Sequence, residues 1–378
     1  MRGPEGSIFK RCANRSTRFI RPKRRLWSVL EAIVLVGGEG TRLRPLTLTT
    51  PKPLLPVAGV PFLAHQFARL RDAGVGRIIL ATSYRAELFA QVFDGGTFDG
   101  VELVFITEDH PMGTGGAIAN AATGLTCGPD EPVIVFNGDV LSGHDLTAQL
   151  AVHNSVDADV TLHLVEVDDA RRFGCVPSDD NGRVTDFLEK MPEPVTNQVN
   201  AGCYVFKRKV IATIPTDRPV SVERETFPGL LADNAHIQAY VETAYWLDLG
   251  TPATYVQGSH DLVTGVIASS ALPAAVGESL ILSGAHVVPE AQVSGGSVIG
   301  HNARIGQARV GGSVLFDDVV VGDDAYVEDC LIGTGATIGS GARLVRTVVG
   351  DGAVIAAGTE LQDARAWNEA GELTVTSE

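Results

Sequence analysis

Two hydrophobic patterns divide the chain. From Glu31 to about Gly265, apolar runs of strand length alternate with segments in which apolar residues recur at helical spacing. The predicted strands are Ala32–Val36, Arg77–Ala81, Val101–Ile106 and Val133–Phe136, and the predicted helices are Pro61–Ala73, Tyr84–Phe93 and Gly116–Ala122. This alternation predicts βαβ units, and therefore a doubly wound α/β domain with a parallel sheet covered by helices on both faces. Ligands of such sheets bind beyond the carboxyl ends of the strands.

Beyond Ala275 the pattern changes to short repeats with few aromatic residues. Two interleaved aliphatic series advance 16 or 17 residues per coil, at Ile299, Ile305, Val321, Val327, Ile332, Ile338, Val349 and Ile355. Hexapeptide-like units of this kind are typical of a parallel β-helix. They resemble the left-handed hexapeptide β-helix, and Val276–Leu361 has room for about five coils.

These patterns predict the domain boundaries. The α/β domain is expected at 29–268, a linker at 269–275, the β-helix at 276–365 and a C-terminal tail at 366–378. Residues 1–28 contain nine Lys or Arg and one acid, and we interpret them as a disordered basic extension. A signal peptide is disfavoured because Glu31 interrupts the apolar run that follows, and that run is needed as the first strand.

The charge balance restricts the possible partners. The formal net charge is −15, and the part from Val29 onward is more acidic still, which argues against a nucleic-acid partner. Anionic substrates must then be bound by local cations and a metal. No apolar run is long enough to span a membrane. The five scattered cysteines favour free thiols in a reducing cytoplasm.

The first predicted strand leads directly into the segment LVGGEGTRLRPLTLTTPKPLLP, from Leu35 to Pro56. Gly37, Gly38 and Gly40 allow the backbone to approach a ligand closely and to point N–H groups at anionic oxygens. Arg42 supplies a guanidinium group suited to phosphate. Two prolines flank Lys52 and favour an extended, stiff loop that holds the lysine outward. The segment therefore predicts a phosphate-binding loop.

Other glycine-rich loops fit this segment less well. The spacing of a dinucleotide fingerprint fails at Leu43, and Pro45 obstructs the helix that such a fingerprint opens. The Gly-Lys-Ser/Thr of a Walker A loop does not follow the glycines. A purely structural glycine turn stays open as an alternative.

About twenty consecutive positions of this segment resemble the signature of the sugar-1-phosphate nucleotidylyltransferases. Within that family, PKPL at the lysine and SVERETFPGLL at 221–231 are most similar to the group that transfers guanylyl to mannose 1-phosphate. The resemblance implies a Rossmann-like nucleotidyltransferase domain followed by the β-helix. It also implies catalytic roles for Arg42 and Lys52, and nucleotide binding by Leu35, Gly37, Gly38, Gly40, Thr41 and Gly113, the last in the loop PMGTGGA against the nucleobase.

Two acids are candidate metal ligands. Asp139 follows the fourth strand in FNGDV, where a lone aspartate is more often a turn or helix-cap residue. Asp248 lies among apolar residues in YWLDLGTP, and a carboxylate buried there is costly unless it is paired or binds a metal. The resemblance implies that both bind Mg²⁺ and that Asp139 is catalytic.

The resemblance also implies a sugar-binding set, which consists of Gly174, Glu189, Lys190 and Asn200, with Lys190 catalytic through the sugar phosphate. Without it, Glu189 and Lys190 would be interpreted as an exposed charged strand end. The chain departs from the family at Met191, where proline is usual.

The implied reaction converts GTP and mannose 1-phosphate into GDP-mannose and pyrophosphate. One alternative is a related enzyme that uses glucose 1-phosphate with dTTP or UTP. Another is a non-catalytic regulatory paralogue. An acyltransferase using His286 or His301 is a further alternative, because hexapeptide β-helices often form such enzymes.

The β-helix is expected to serve assembly and stability, as part of a homo-oligomer. The series Ile305, Val321, Ile338 and Ile355 is suited to a flat wall between subunits. Removal of the β-helix is accordingly expected to leave measurable nucleotidyl transfer.

Overall fold

The computed structural model describes residues 29–83, 85–93, 95–188, 191–273 and 277–377. The predicted basic extension at 1–28 and the predicted sugar-site residues Glu189 and Lys190 lie outside the described residues. Among those described, no helix is long and apolar enough to cross a membrane.

The first domain alternates strands and helices as predicted. Its strands are β1 Leu30–Leu35, β2 Pro56–Val57, β3 Val60–Pro61, β4 Val75–Thr82, β5 Thr97–Phe98, β6 Val101–Thr107, β7 Pro132–Asn137, β8 Val140–Ser142, β9 Val160–Glu166, β10 Gln198–Lys207, β11 Ile237–Val241 and β12 Trp246–Asp248. Its α-helices are α1 Phe62–Asp72, α2 Ala86–Val92, α3 Gly113–Ala121, α4 Leu146–Ser155, α5 Arg208–Ile211, α6 Phe227–Ala232 and α7 Pro252–Thr264.

Eight strands form the main sheet, in the order β11-β9-β10-β7-β1-β4-β6-β5. The central strands β7, β1, β4 and β6 are parallel, which confirms the doubly wound α/β fold. The expectation of a parallel sheet is wrong beyond β7, because β10 runs antiparallel to both β7 and β9. An antiparallel neighbour needs no crossover helix, and the described residues between β9 and β10 contain no α-helix.

Strand β1 is buried on both faces of the sheet. Ile33 packs in a core with Ile118 of α3, whereas Val34 packs on the opposite face with Phe67 of α1. From β1 the chain proceeds outward to β4 and β6, and then returns to place β7 on the other side of β1. The carboxyl ends of β1 and β7 therefore flank a topological switch point, where ligands of open α/β sheets bind.

The second domain contains the parallel strand stacks of a left-handed β-helix, as predicted. Its strands are β13 Ser279–Ile281, β14 His286–Val287, β15 Gln292–Ser294, β16 Ser297–Ile299, β17 Arg304–Ile305, β18 Arg309–Gly311, β19 Val314–Leu315, β20 Val320–Val321, β21 Tyr326–Glu328, β22 Leu331–Ile332, β23 Thr337–Ile338, β24 Arg343–Val345, β25 Val348–Val349, β26 Val354–Ile355, β27 Glu360–Gln362, β28 Ala364–Glu369 and β29 Glu372–Ser377. They form three stacks, and β28 and β29 end the first stack as an antiparallel pair, most of which lies in the region 366–378 predicted as a tail.

All eight aliphatic positions of the repeat pattern lie in the interior of the β-helix. The expected wall of Ile305, Val321, Ile338 and Ile355 between subunits is therefore wrong, because each of these side chains is at most 2% exposed. The period of two along a strand explains the error. Successive side chains of a short strand point alternately into the β-helix and away from it, and the sequence pattern does not tell which residue points inward.

The outward residues of the first stack pack against the α/β domain. Val298, Val314 and Leu331 follow one another in register on successive coils and share a core with Leu43 and Tyr255 of the first domain. The two domains therefore share one apolar core, and part of that core lies directly behind the predicted phosphate loop.

Candidate active site

The predicted phosphate loop follows β1 at the switch point. Gly38 and Gly40 have φ values of 109° and 61°, in the left-handed region that favours glycine. A Cβ atom on Gly40 would lie 3.0 Å from both Lys52 Cβ and Thr47 Cγ2, so the loop folds closely back on itself. The Thr47 hydroxyl donates a hydrogen bond to the Gly40 carbonyl oxygen over 2.9 Å. Glycine at this position thus allows the lysine to pack beneath the loop.

Lys52 is not held outward as the flanking prolines suggested. It begins a 3-10 helix, Lys52–Leu54, and is only 8% exposed. Its ammonium Nζ donates a hydrogen bond to Asp139 Oδ2 over 2.9 Å and lies 3.9 Å from Asp248 Oδ1. A buried ammonium group needs an opposite charge, and the two acids supply it.

A small two-stranded sheet brings the two acids together. Strand β12 pairs antiparallel with β8, and Asp248 lies opposite Val140, the residue after Asp139. The backbone N–H of Leu249 also donates to the Asp139 carbonyl oxygen over 3.0 Å. Residues far apart in the sequence therefore face each other across the end of β7.

The environment of Asp248 disfavours its negative charge. Burial raises the pKa of this carboxyl, the neighbouring Asp139 raises it further, and Lys52 and Arg42 only partly offset the rise. Its Oδ1 atom is buried and accepts no hydrogen bond. Such an unpartnered oxygen beside a second carboxylate is a suitable donor set for Mg²⁺, which prefers one or two carboxylates completed by phosphate oxygens.

Two adjoining cavities form the cleft around these groups. The first has a volume of about 330 Å³ and is lined by Leu35, Gly37, Gly38, Gly40, Thr41, Arg42, Lys52, Pro53, Thr114, Asn137, Gly138, Asp139 and Gly250. The second has a volume of about 1230 Å³ and is lined by Arg42, Thr114, Phe173, Gly174, Phe187, Leu188, Asn200, Ser221, Glu223, Arg224, Pro228, Trp246, Leu247, Asp248, Gly250, Thr251 and Thr254. Arg42, Thr114 and Gly250 line both cavities, so they form two halves of one cleft.

Arg42 lies where the two halves meet. A Cβ atom on Gly250 would lie only 2.7 Å from Arg42 Nη2, so the absence of a side chain at Gly250 leaves room for the guanidinium group. The positive charge of Arg42 is close enough to Asp248 to lower the pKa of that carboxyl. A cation in this position can act on anionic groups in either half of the cleft.

The larger half contains the described members of the predicted sugar set. Gly174 and Asn200 line it. The Asn200 amide Nδ2 donates to Tyr204 Oη over 2.8 Å, and its Oδ1 accepts from the Gly202 N–H over 3.0 Å, which fixes the side chain. Leu188, which directly precedes the undescribed Glu189 and Lys190, also lines this half.

Gly113 does not line either half, although its neighbour Thr114 lines both. Its φ is +71°, and a Cβ atom there would lie 2.6 Å from the Val220 carbonyl oxygen. The same oxygen accepts the N–H of Gly115 over 2.8 Å. Close packing against the chain at Val220 thus requires glycine here, while its predicted role at the nucleobase stays a prediction.

We expect Gly113→Ala to lower the free energy of unfolding by about 1–3 kcal/mol, because the new methyl group clashes with backbone at a left-handed φ. Chemical denaturation would measure the loss. Gly229→Ala is the matched control, since nothing lies within 4 Å of a Cβ atom at that helical glycine. Equal stabilities of the two variants would contradict the tight packing at Gly113.

Sequence reasoning missed several residues of the cleft. Asn137 ends β7 and has a buried Oδ1 atom without a hydrogen-bond partner. Trp246 lines the larger half and donates its indole N–H to the Ala201 carbonyl oxygen over 3.0 Å. Glu223 accepts hydrogen bonds from Thr114 Oγ1 and Ser221 Oγ, each over 2.9 Å. Asn137 and Trp246 carried a usable signal, because each lies two residues before one of the two predicted acids, Asp139 and Asp248.

Comparison with known proteins decides the family. Residues 31–265 match the nucleotidyl transferase family, and residues 275–368 match the GMPPB C-terminal domain. The chain belongs to the nucleotidyl transferase family. Enzymes of this family generally use a divalent metal, and the pair of Asp139 and Asp248 fits that requirement. Among the described residues, no group of three or more His, Cys, Asp and Glu could hold a metal ion.

Individual relatives cover both domains of this nucleotidyl transferase. Mannose-1-phosphate guanylyltransferase of Mycobacterium tuberculosis is 52% identical over 301 residues, which are 79% of this chain and 83% of that protein. Mannose-1-phosphate guanylyltransferase catalytic subunit beta of Drosophila melanogaster is 33% identical, over 86% of this chain and 89% of that protein. Among solved structures, HddC from Yersinia pseudotuberculosis complexed with GMP-PN has a TM-score of 0.52 and 33% identity, and covers 62% of this chain and 99% of its own.

Proposed function

We propose that this nucleotidyl transferase is a mannose-1-phosphate guanylyltransferase, which converts GTP and mannose 1-phosphate into GDP-mannose and pyrophosphate. The observation that carries the proposal is the lysine-bridged acid pair of Asp139 and Asp248, which lies between a phosphate loop and a larger cavity. Relatives with this printed name that match most of the chain support the choice of base and sugar.

In the proposed reaction, an oxygen of the sugar phosphate attacks the α-phosphorus of GTP in line, and pyrophosphate leaves. A phosphate monoester has a second pKa near ~6, so the nucleophile is largely dianionic at neutral pH and no general base is required. Catalysis then depends on alignment and on neutralisation of negative charge.

The residues of the smaller half take the nucleotide in this proposal. Backbone N–H groups of the loop at Gly37, Gly38 and Gly40 face the phosphates, and Leu35 and Thr41 line the same half. Arg42, at the junction of the halves, neutralises the departing pyrophosphate, and Lys52 neutralises the α-phosphate region.

The acid pair and the larger half complete the proposed site. Asp139 and Asp248 would hold Mg²⁺, which supplies Lewis-acid neutralisation of the phosphate oxygens. We assign Gly174, Glu189 and Asn200 to the sugar hydroxyls and Lys190 to the sugar phosphate, although Glu189 and Lys190 lie outside the described residues.

The test is a matrix of GTP, ATP, UTP and dTTP against mannose 1-phosphate and glucose 1-phosphate, with and without Mg²⁺, scored by pyrophosphate release. We expect the fastest Mg²⁺-dependent release with GTP and mannose 1-phosphate. Faster release with dTTP or UTP and glucose 1-phosphate would contradict the guanylyl assignment. Absence of release with every pair would favour the regulatory paralogue instead.

The acyltransferase alternative has no structural support among the described residues. His286 is exposed at the start of β14, and the His301 ring nitrogen Nδ1 is hydrogen-bonded to Ser283 Oγ over 2.9 Å. Neither histidine lines the cleft.

The proposal also includes a homo-oligomer formed through the β-helix and a cytoplasmic location. The first stack already packs against the α/β domain, so a subunit contact has to use another surface of the β-helix. Light scattering would test the assembly. The four described cysteines are free and buried, which supports a reducing compartment.

A further inference from the structure

The end of the β-helix contacts the second part of the phosphate loop through Gly350, Asp351 and Arg365. The Arg365 guanidinium Nη1 donates a hydrogen bond to the Arg44 carbonyl oxygen over 2.8 Å. The Thr49 hydroxyl donates to Asp351 Oδ2 over 2.5 Å. Pro45 packs so closely on the last coil that a Cβ atom on Gly350 would lie 3.2 Å from its Cγ.

The contacted segment lies between two cations of the loop, Arg42 and Lys52. Arg44 lies two residues after Arg42, and Thr49 lies three residues before Lys52. Between β1 and β2 the chain forms only three short 3-10 helices, so no ladder of strand hydrogen bonds fixes it. Tertiary contacts must therefore hold this segment in place. Arg85 of the α/β domain donates a hydrogen bond to the Thr49 carbonyl oxygen. The β-helix adds the bonds of Asp351 and Arg365.

Asp351 accepts a hydrogen bond from Thr49 and also a hydrogen bond from within the β-helix. Its other oxygen, Oδ1, accepts the backbone N–H of Thr334 on the preceding coil over 2.9 Å. Asp323 makes the equivalent bond with Gln307 N over 2.8 Å. Asp351 is thus a turn residue of the β-helix with one additional bond, to the phosphate loop. Asp323 is its internal control.

We propose that the last coil of the β-helix, through Asp351 and Arg365, is a positioning element of the nucleotide site. It holds the loop between Arg42 and Lys52 in the conformation that binds the phosphates. Asp351 and Arg365 are positioning residues, because they act through the loop and not on the substrate. The inference rests on the phosphate-binding role proposed above for the loop.

The test compares Thr49→Val, Asp351→Ala and the double variant in the full-length protein. For the single variants we expect kcat/KM for the nucleotide to fall about five- to tenfold, as for loss of a hydrogen bond to a charged group. Affinity for inorganic pyrophosphate with Mg²⁺, measured by calorimetry, should fall by a similar factor. The double variant should be no worse than the more impaired single variant, because both changes remove the same bond.

Three controls separate positioning from general stability. Asp323→Ala should lower Tm, through loss of the same turn bond that Asp351→Ala removes, while leaving kcat/KM and pyrophosphate affinity within about twofold of the unmodified protein, since it lacks the loop contact. Thr49→Ser and Asp351→Asn should restore most of the affinity, because each can still form the bond between the two side chains.

Equal kinetics and equal pyrophosphate affinity of Asp351→Ala and Asp323→Ala would overturn the inference. Fully additive effects of Thr49→Val and Asp351→Ala would do the same. If the unmodified protein does not bind pyrophosphate at all, the phosphate-binding role of the loop is wrong, and this inference is rejected with it.

Discussion

Lys52→Met should lower kcat by at least about 100-fold, in the range found when a preorganised charge is removed from an active site. Methionine keeps much of the length and the apolar stem of lysine but not the ammonium group that contacts Asp139. The variant also leaves two acids facing each other without their cation, so binding of Mg²⁺ alone should strengthen or stay unchanged. Single-turnover kinetics with GTP and mannose 1-phosphate would measure the chemical step directly.

Lys207→Met is the matched control for this change. Lys207 is 7% exposed and is also paired with two aspartates, with its Nζ 2.8 Å from Asp157 Oδ1 and 3.6 Å from Asp159 Oδ1. It lines neither half of the cleft. Its loss should affect stability but not kcat. If both methionine variants fold and retain similar turnover, Lys52 has no part in the mechanism.

Asp139→Asn should also lower kcat by at least about 100-fold, because it keeps the shape of the side chain but removes half of the counter-charge for the metal. An amide oxygen can still accept the Lys52 hydrogen bond, so the fold around β7 should persist. Mg²⁺ titration of the activity should show a higher requirement. Asp157→Asn, at an exposed acid outside the cleft that also accepts from a lysine, is the control and should leave kcat unchanged.

The same substitution has a consequence for pH. Burial raises the pKa of Asp248 first, and the charge of Asp139 raises it further. Removing that charge favours ionised Asp248, so its pKa should shift downward in Asp139→Asn. Any acid limb of the rate profile that reflects Asp248 should shift to lower pH with it. An unchanged acid limb together with normal turnover would exclude the acid pair from catalysis.

The structure also changes the expectation for a protein without its β-helix. Sequence reasoning treated the repeats as an assembly device whose removal would leave nucleotidyl transfer measurable. Their first stack instead covers apolar residues of the phosphate loop itself, among them Leu43 and Leu46, which are at most 1% exposed. Removal would expose this core to water and release the loop, so we now expect loss of transfer.

Much of the smaller half of the cleft could be predicted from the sequence. The loop residues Gly37, Gly38 and Gly40, the cation Arg42 and the acid Asp139 all line it. They come directly after two buried strands, and adjacent parallel strands end at the same edge of a sheet. A motif that directly follows a buried strand therefore predicts where in the fold its residues lie.

The sequence by itself determined the two domain classes, the glycine-rich loop after β1 and the coil period of the β-helix, because each depends on local periodicity or on contiguous residues. Only the tertiary structure decided the antiparallel position of β10, the pairing of β12 with β8 that brings Asp248 to Asp139, and the burial of Lys52 between them. It also decided which β-helix face packs behind the loop. These features depend on contacts between distant segments, and the free energy that selects them comes from burial of a shared core and from pairing of charges that no local pattern encodes.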